Sequence, residues 1–301
     1  MRLVSFGAPG HWRPGIDLGE HVADTCAVAT LAGWSPADVG ALRSNRDVLM
    51  HSAGRLRELE TVARRHQSEL EGFGAWHLIS NLRLRPPVPD PEKIICIGLN
   101  YHDHAKEVGA TPPDHPIFFA KYPNSLAGST DDIIPPRETQ KLDYEAELSV
   151  VISKSGWRIA SGDALDHVAG AMALNDVSAR DLQLTDQLWT GGKAIDTFTP
   201  CGPALVLKHA LGDLQNLRVA TRVGEAMLQD GTTASMVHRI ADIIAFLSRI
   251  MTLVPGDIIA TGTPAGVAGS HKPPRFLKPG DVVEVEIEGI GTLRNKVGEP
   301  V

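Results

Sequence analysis

A twelve-residue segment, 141–152 (KLDYEAELSVVI), alternates polar and apolar residues and ends in a β-branched run, a pattern typical of a β-strand. Side chains two residues apart in a strand project from the same face. Glu145 and Glu147 therefore share one face, while the apolar residues that follow them belong to the other. Two neighbouring carboxylates repel each other, and burial strengthens the repulsion unless a cation lies between them.

A cation site is one interpretation of this pair, because oxygen ligands suit Mg²⁺, Mn²⁺ or Ca²⁺. The other interpretation is the solvated face of a strand, so the choice depends on the rest of the chain. A third carboxylate favours the cation site: Asp176 follows 168–174, a short apolar segment that we predict to be a core strand.

The composition excludes several classes of function. The 301 residues, 43% hydrophobic and 22% charged, are typical of a globular protein with one large and one smaller domain. A formal net charge of −7 without a Lys/Arg cluster argues against nucleic-acid binding. No apolar run approaches the length of a membrane span, and three widely separated cysteines fit a reducing cytoplasm.

A proline-rich segment, 85–91 (RPPVPDP), divides the chain. Such proline density is incompatible with a helix or a central strand and is typical of a stiff linker. We therefore predict a small N-terminal α/β domain over residues 1–88 and a catalytic domain over residues 89–301. Within the first domain, Ser35 followed by Pro-Ala-Asp predicts a helix start, and no residue spacing there is typical of a catalytic site.

The segment 99–107 (LNYHDHAKE) is crowded with functional groups. If His104 lies in a helical turn, Glu107 lies three residues later on the same face. A carboxylate beside an imidazole fixes its tautomer and raises its basicity, which predicts a general base. The alternative is a surface turn in which His104 and Glu107 are paired by chance. A zinc site formed by His102, His104 and His115 is another, although the carboxylates fit zinc poorly.

Two glycine-containing segments complete the candidate sites. Gly191-Gly192-Lys193 offers a close backbone approach beside a lone ammonium group. The segment 261–266 (TGTPAG) either donates hydroxyl and N–H groups to an anion or forms an ordinary tight turn. The sequence lacks the motifs of phosphate-binding loops, dinucleotide-binding folds, H-E-x-x-H zinc proteases and serine hydrolases.

Taken together, these segments resemble the fumarylacetoacetate hydrolase superfamily. The matching motifs appear in the family's order over residues 93–297: IGLNY with His104 and Glu107, DYEAEL at 143–148, NDVSARD at 175–181, GK at 192–193 and TGTP at 261–264. The resemblance implies a β-rich α+β fold with a mixed β-roll or β-sandwich catalytic domain behind the small N-terminal domain. It also implies a Mg²⁺ or Mn²⁺ cofactor, with Ca²⁺ as a substitute in a crystal, and a homodimer.

The resemblance assigns roles residue by residue. The metal ligands would be Glu145, Glu147 and Asp176. The catalytic residues would be His104, Glu107 and Lys193. Substrate contacts would come from Tyr101, Lys121, Arg180, Gln183 and Thr263.

The activity that the resemblance implies is divalent-metal-dependent hydrolysis of a C–C bond in an acylpyruvate or a related β-diketo or 2-oxo acid, through an enolate stabilised by the metal. The alternative is an oxaloacetate decarboxylase, or a lyase, isomerase or hydratase acting on 2-oxo acids of aromatic or sugar-acid catabolism. A non-enzymatic metal-binding scaffold would not need His104 beside Glu107. The expected partners are a small 2-oxo acid and a second copy of the chain, with neither nucleic acid nor membrane.

Overall fold

The structure, a computed structural model, describes residues 1–8, 11–51, 54–185 and 188–301. In its N-terminal part the strands are β1 (Arg2–Phe6), β2 (Arg13–Asp17), β3 (His21–Asp24), β4 (Trp76–Leu78) and β5 (Leu84–Arg85). The helices of this part are α1 (Thr25–Leu31), α2 (Pro36–Gly40), α3 (Asn45–His51), α4 (Leu56–Arg65) and α5 (Gln67–Gly72). The predicted helix start is confirmed, because the Ser35 hydroxyl accepts a hydrogen bond from the Asp38 N–H at the beginning of α2.

The remainder of the chain is dominated by strands. These are β6 (Ile94–Gly98), β7 (Ile117–Lys121), β8 (Leu126–Ala127), β9 (Leu142–Asp143), β10 (Ala146–Ile152), β11 (Val168–Asn175), β12 (Ser178–Ala179), β13 (Thr199–Leu207), β14 (Arg218–Val223), β15 (Ala226–Thr232), β16 (Ile258–Ala260), β17 (Val282–Ile287) and β18 (Gly291–Lys296). The helices are α6 (His102–Glu107), α7 (Arg180–Gln183), α8 (Thr190–Lys193) and α9 (Ile240–Leu247). Short 3₁₀ turns occur at Ile79–Asn81, Pro123–Ser125, Ser161–His167, Lys208–Ala210, Thr233–Ser235 and Ala268–Ser270. The predicted β-rich α+β fold is confirmed.

The segment 141–152 differs from the prediction of one continuous strand. It forms β9 and β10, which are separated by two residues. The break occurs because the Glu145 N–H donates to the side-chain Oδ1 of Asn175 at 3.0 Å instead of joining a strand ladder. The predicted division into two faces holds within β10, where Leu148 and Val150 lie in the hydrophobic core.

The main sheet is continuous across the proline-rich segment. Its strand order is β4-β3-β2-β1-β13-β11-β10-β16-β6-β7, with β5 on β1 and β8 on β13. β1 pairs antiparallel with β13 at Arg2↔Val206 and Leu3↔Leu205. One apolar cluster contains Leu59 of α4 together with Met172 of β11. Residues 85–91 therefore change the course of the chain without separating two hydrophobic cores.

A second sheet, in the order β15-β14-β17-β18, packs with α9 against the main sheet. The largest apolar cluster lies between these layers and includes Leu148 of β10, Val285 of β17 and Ile243 of α9. β14 and β15 form a hairpin around Gly224; this glycine has φ 57°, a left-handed conformation that a glycine adopts without strain. In the part of the chain that the structure describes, no helix has both the length and the hydropathy of a transmembrane span.

Candidate metal centre and active site

A cavity of about 700 Å³ opens at one edge of the main sheet. β16 runs parallel to β6 and antiparallel to β10, so the ends of β6 and β16 meet the start of β10 at this edge. Gly98, at the end of β6, lies against the wall formed by Trp189. A Cβ atom at Gly98 would lie 2.3 Å from the indole, so only glycine allows this close approach.

Two buried carboxylates, Glu145 and Glu147, line the floor of the cavity, and a third, Asp176, is buried directly beside them. Carboxylate oxygens of Glu145, Glu147 and Asp176 all lie within 4.8 Å of one another. The pairing of β10 with β11 places Asn175 opposite Ala146, and the Asp176 N–H donates to the Glu145 carbonyl at 2.9 Å. The structure therefore brings together the three residues that the sequence predicted as metal ligands.

Two of these carboxylates are paired with cations. Lys193 Nζ donates to Glu145 Oε2 at 2.7 Å and to Asp176 Oδ2 at 2.6 Å, and Arg180 Nη2 donates to Glu145 Oε1 at 2.6 Å. Burial opposes ionisation of Glu145, but the charges of Lys193 and Arg180 outweigh it and hold the pKa of Glu145 well below its ordinary value. On the opposite side, Lys121 Nζ donates to Asp176 Oδ1 at 2.6 Å.

Glu147 has no ion-pair partner among the described residues, although Oε2 accepts the Gly262 N–H at 2.8 Å. Its pKa is raised well above the ordinary value, first by burial and then by the charges of Asp176 and Glu145. The site thus concentrates oxygen ligands and contains more negative charge than its lysines neutralise. This donor set fits a hard divalent cation such as Mg²⁺ or Mn²⁺.

The predicted His–Glu pair forms on α6. His104 Nδ1 lies 3.1 Å from Glu107 Oε2, and Glu107 Oε1 accepts the Gly266 N–H at 2.8 Å. Burial alone would raise the pKa of Glu107, but the hydrogen bonds from His104 and Gly266 lower it below the ordinary value. An ionised Glu107 holds a proton on Nδ1 and leaves Nε2 as the basic nitrogen. Both residues line the same cavity as Glu145 and Glu147.

The predicted substrate contacts divide into two groups. Arg180, Gln183 and Thr263 line the cavity. The Thr263 hydroxyl, however, already donates to the Ala146 carbonyl at 2.9 Å and accepts from Gln229 Nε2 at 2.8 Å. Its hydroxyl hydrogen is therefore used within the protein, and it can offer a substrate only an acceptor lone pair.

The other two predicted contacts, Tyr101 and Lys121, do not line the cavity. Tyr101 is fully buried in the main core, and its hydroxyl has no hydrogen-bond partner among the described residues. Lys121 also donates to the Phe198 carbonyl at 2.7 Å and lies behind Asp176. The structure thus gives Lys121 a position that supports Asp176, one of the predicted metal ligands.

The zinc alternative gains no support from the geometry. His102 and His115 do not line the cavity, and the ring of His115 stacks on Phe246 with centroids 6.3 Å apart. Over the described residues, the acidic cluster contains no histidine.

Asp143 is a structural residue of the site whose role the sequence reasoning missed. Its carboxylate accepts from Arg180 Nε at 2.8 Å and from the backbone N–H groups of Ala268 and Gly269 at 2.7 and 3.2 Å. It therefore links a wall of the cavity to a cationic partner of Glu145. Its position two residues before Glu145 was a usable signal, since the same alternation places both side chains on one face.

Comparisons with known proteins cover most of the chain. The family model for the C-terminal part of fumarylacetoacetate (FAA) hydrolase matches residues 93–298. The oxaloacetate tautomerase YisK of Bacillus subtilis (strain 168) is 45% identical over 246 residues, which cover 80% of this chain and 81% of that protein. The mitochondrial oxaloacetate tautomerase FAHD2B of Homo sapiens is 40% identical over 299 residues, covering 99% of this chain and 91% of that protein.

A solved structure shows the same fold over the whole chain. The maleylpyruvate hydrolase of Sphingobium sp. SYK-6, in complex with manganese(II) ion and pyruvate, superposes with a TM-score of 0.77 at 29% sequence identity. The superposition covers 100% of each chain.

Proposed function

The chain belongs to the fumarylacetoacetate hydrolase family, and from this premise we propose that it interconverts the enol and keto forms of a 2-oxo dicarboxylic acid such as oxaloacetate. The observation that carries the proposal is the hydrogen-bonded His104–Glu107 pair in the same cavity as Glu145 and Glu147, with the third buried carboxylate, Asp176, beside them. A proton-transfer group beside a cation site is the minimum equipment for enolisation next to a carbonyl.

This proposal replaces acylpyruvate hydrolysis as the preferred activity. Both relatives named above are oxaloacetate tautomerases, whereas the neighbour named as a hydrolase is 29% identical. The comparisons thus favour the isomerase alternative over C–C bond cleavage. Tautomerisation also needs less of the site, because no water has to be activated for attack on a carbonyl.

In the enol-to-keto direction, the enol O–H bond breaks and a C–H bond forms at C3, so one proton leaves and one arrives. His104 accepts and returns a proton at Nε2, while Glu107 holds the proton on Nδ1 and stabilises the imidazolium form.

Other residues of the chain bind and orient the substrate. Arg180, whose Nη1 donates to Gln183 Oε1 at 3.0 Å, leaves the Gln183 amide N–H₂ group available for a substrate oxygen. Glu145, Glu147 and Asp176 would hold the divalent cation. When bound, Mg²⁺ or Mn²⁺ supplies Lewis-acid polarisation of the 2-oxo group.

The test follows three reactions of one preparation after chelation and after addition of Mg²⁺ or Mn²⁺. These are the loss of enol absorbance of oxaloacetate, the release of CO₂ from oxaloacetate, and the cleavage of 2,4-dioxopentanoate. We expect cation-dependent acceleration of the first reaction to exceed that of the other two. Faster cleavage of 2,4-dioxopentanoate would restore hydrolysis as the main activity.

Assembly as a homodimer and a cytoplasmic location stay predictions.

A further inference from the structure

Two lysines at the rim of the cavity differ from the lysines at its floor. Lys141 and Lys272 both line the cavity, and both are exposed. Among the described residues, neither ammonium group has an ion-pair or hydrogen-bond partner. Lys121 and Lys193, in contrast, are buried and paired with the carboxylates of the floor. The rim thus carries two positive charges that the protein does not neutralise.

The backbone segments that carry these two lysines are connected to each other. The Leu277 N–H donates to the Leu142 carbonyl at 2.8 Å, directly after Lys141 in the sequence. The Asp143 carboxylate holds the Ala268 N–H at 2.7 Å, at the other end of the segment that carries the second lysine. Both lysines are therefore attached to backbone segments that are hydrogen-bonded to each other beside the floor.

The charges of the floor match one substrate carboxylate. With Glu147 ionised, as cation binding requires, the carboxylates of Asp143, Glu145, Glu147 and Asp176 face the cations of Lys121, Lys193 and Arg180, which leaves one negative charge. A divalent cation converts this into one positive charge, enough for the carboxylate next to the 2-oxo group. The second carboxylate of a dicarboxylic acid then finds its counter-charge at the rim.

We propose that Lys141 and Lys272 bind the distal carboxylate of a 2-oxo dicarboxylate and so select dianions over monoanionic 2,4-dioxo acids of the same length. The inference rests on the proposed function and extends it to the residues that set specificity. Lysine suits this task because its ammonium is a compact charge on a flexible stem, which follows a carboxylate without requiring a planar fit.

Two substrates of equal length isolate the effect of the second charge. Oxaloacetate and 2,4-dioxopentanoate differ in that a methyl group replaces one carboxylate oxygen, so the second compound lacks the distal charge. The enol–keto rate of each is measured with Mn²⁺-supplemented protein and with Lys141→Met, Lys272→Met and the double variant. The control is Lys278→Met, an exposed lysine of the neighbouring segment that lines a different depression.

For exposed ion pairs of this kind, we expect the ratio of kcat/KM for oxaloacetate to that for 2,4-dioxopentanoate to fall about threefold in each single variant and on the order of tenfold in the double variant. The fall is expected in KM for oxaloacetate, and Lys278→Met is expected to keep the ratio of the unsubstituted chain. An unchanged ratio in the double variant, or an equal loss for both substrates, would overturn the assignment.

Failure of the proposed function is distinguishable from failure of this inference. If the unsubstituted protein accelerates neither tautomerisation, the proposed function is wrong, and the same two compounds are then measured as ligands by calorimetry. A preference for oxaloacetate that the double variant loses would still support the rim assignment. Equal dissociation constants for the two compounds would overturn it.

Discussion

At the floor of the cavity, Lys193 Nζ lies 2.7 Å from Glu145 Oε2 and 2.6 Å from Asp176 Oδ2, whereas at the rim Lys141 and Lys272 have no partner among the described residues. Buried charges are costly when unpaired, and exposed charges are solvated by water. The floor is therefore fixed in advance of substrate, and the rim is free to respond to it. We expect changes at the floor to alter the chemistry and the stability, and changes at the rim to alter the choice of substrate.

The largest effect is expected from Asp176→Asn, which removes a charge from the floor. A bound cation stabilises the transition state by several kcal/mol, so turnover is expected to fall on the order of 10³-fold or more. Rates at increasing Mn²⁺ concentration provide the measurement. The matched control is Asp163→Asn, an exposed aspartate outside the cavity. Near-normal, Mn²⁺-dependent turnover in Asp176→Asn would show that this carboxylate is not a ligand.

The second effect concerns proton transfer above the floor. His104→Ala removes the basic nitrogen and is expected to slow oxaloacetate tautomerisation by about 10²- to 10⁴-fold, the usual range for a positioned acid–base group. Glu107→Gln is expected to cost less, because the imidazole remains and only its tautomer and basicity change. The two variants are compared at saturating Mn²⁺.

The rates of two reactions of oxaloacetate test the assignment of His104 as the base for tautomerisation. If His104→Ala slowed decarboxylation of oxaloacetate as strongly as tautomerisation, the histidine would act on a step that the two reactions share. Decarboxylation needs no general base, so the structure predicts the smaller loss there.

The third effect is on the pH dependence of stability in the metal-free protein, in which the two glutamates of the floor are expected to act in opposite directions. A carboxyl whose pKa is raised in the folded state stabilises the fold fully below its ordinary pKa, and this contribution is lost as pH rises towards the raised value. Glu147 is such a group. One proton corresponds to at most about 1.4 kcal/mol per pH unit. Glu145 has a lowered pKa, so its contribution is lost only as pH falls below its ordinary value.

In the chelated protein, Glu147→Gln is therefore expected to reduce the decline in the free energy of unfolding between pH 5 and pH 8. At pH 8 this variant is expected to be more stable than the unsubstituted protein. The urea midpoint at each pH, with a chelator present, gives the measurement. Glu138→Gln, an exposed glutamate, is the control. With Mn²⁺ present, Glu147→Gln is expected to be less stable than the unsubstituted protein, because the cation needs the ionised carboxylate. If the unfolding free energies of Glu147→Gln and of the unsubstituted protein changed with pH in parallel, the raised pKa of Glu147 would not be the cause of the decline.

Local spacing explains which parts of the site were predictable. His104 and Glu107 follow the period of a helix, and Glu145 and Glu147 are two residues apart, so each pair is determined within a few residues even though Glu145 precedes the first residue of β10. The contact between Lys121 and Asp176 joins residues 55 positions apart, and no local pattern specifies it.

The fold shows the same limit. The core strand predicted from the apolar run 168–174 is confirmed as β11. The order of the strands was not predictable, because the pairing of β1 with β13 brings together Leu3 and Leu205, which only tertiary packing selects. Residues 86–91 form neither helix nor strand, as their prolines predict, but proline density carries no information on whether the flanking strands share a sheet.

The smallest expected effect is the dependence of KM on salt, which tests the rim lysines while the residues of the floor stay unchanged. Salt screens exposed charges strongly and buried pairs weakly, since the Debye length falls from about 10 Å at 0.1 M to about 3 Å at 1 M ionic strength. Raising potassium chloride across this range is therefore expected to increase KM for oxaloacetate about two- to threefold, while kcat changes less. In the Lys141→Met/Lys272→Met double variant most of this dependence is expected to disappear, because the screened charges have been removed. Steady-state rates at five salt concentrations give both slopes, with 2,4-dioxopentanoate as the monoanionic reference. If the double variant kept the full salt dependence, the responsible charges would lie elsewhere on the cavity wall, and the contrast between a paired floor and a responsive rim would no longer explain how this protein distinguishes its substrates.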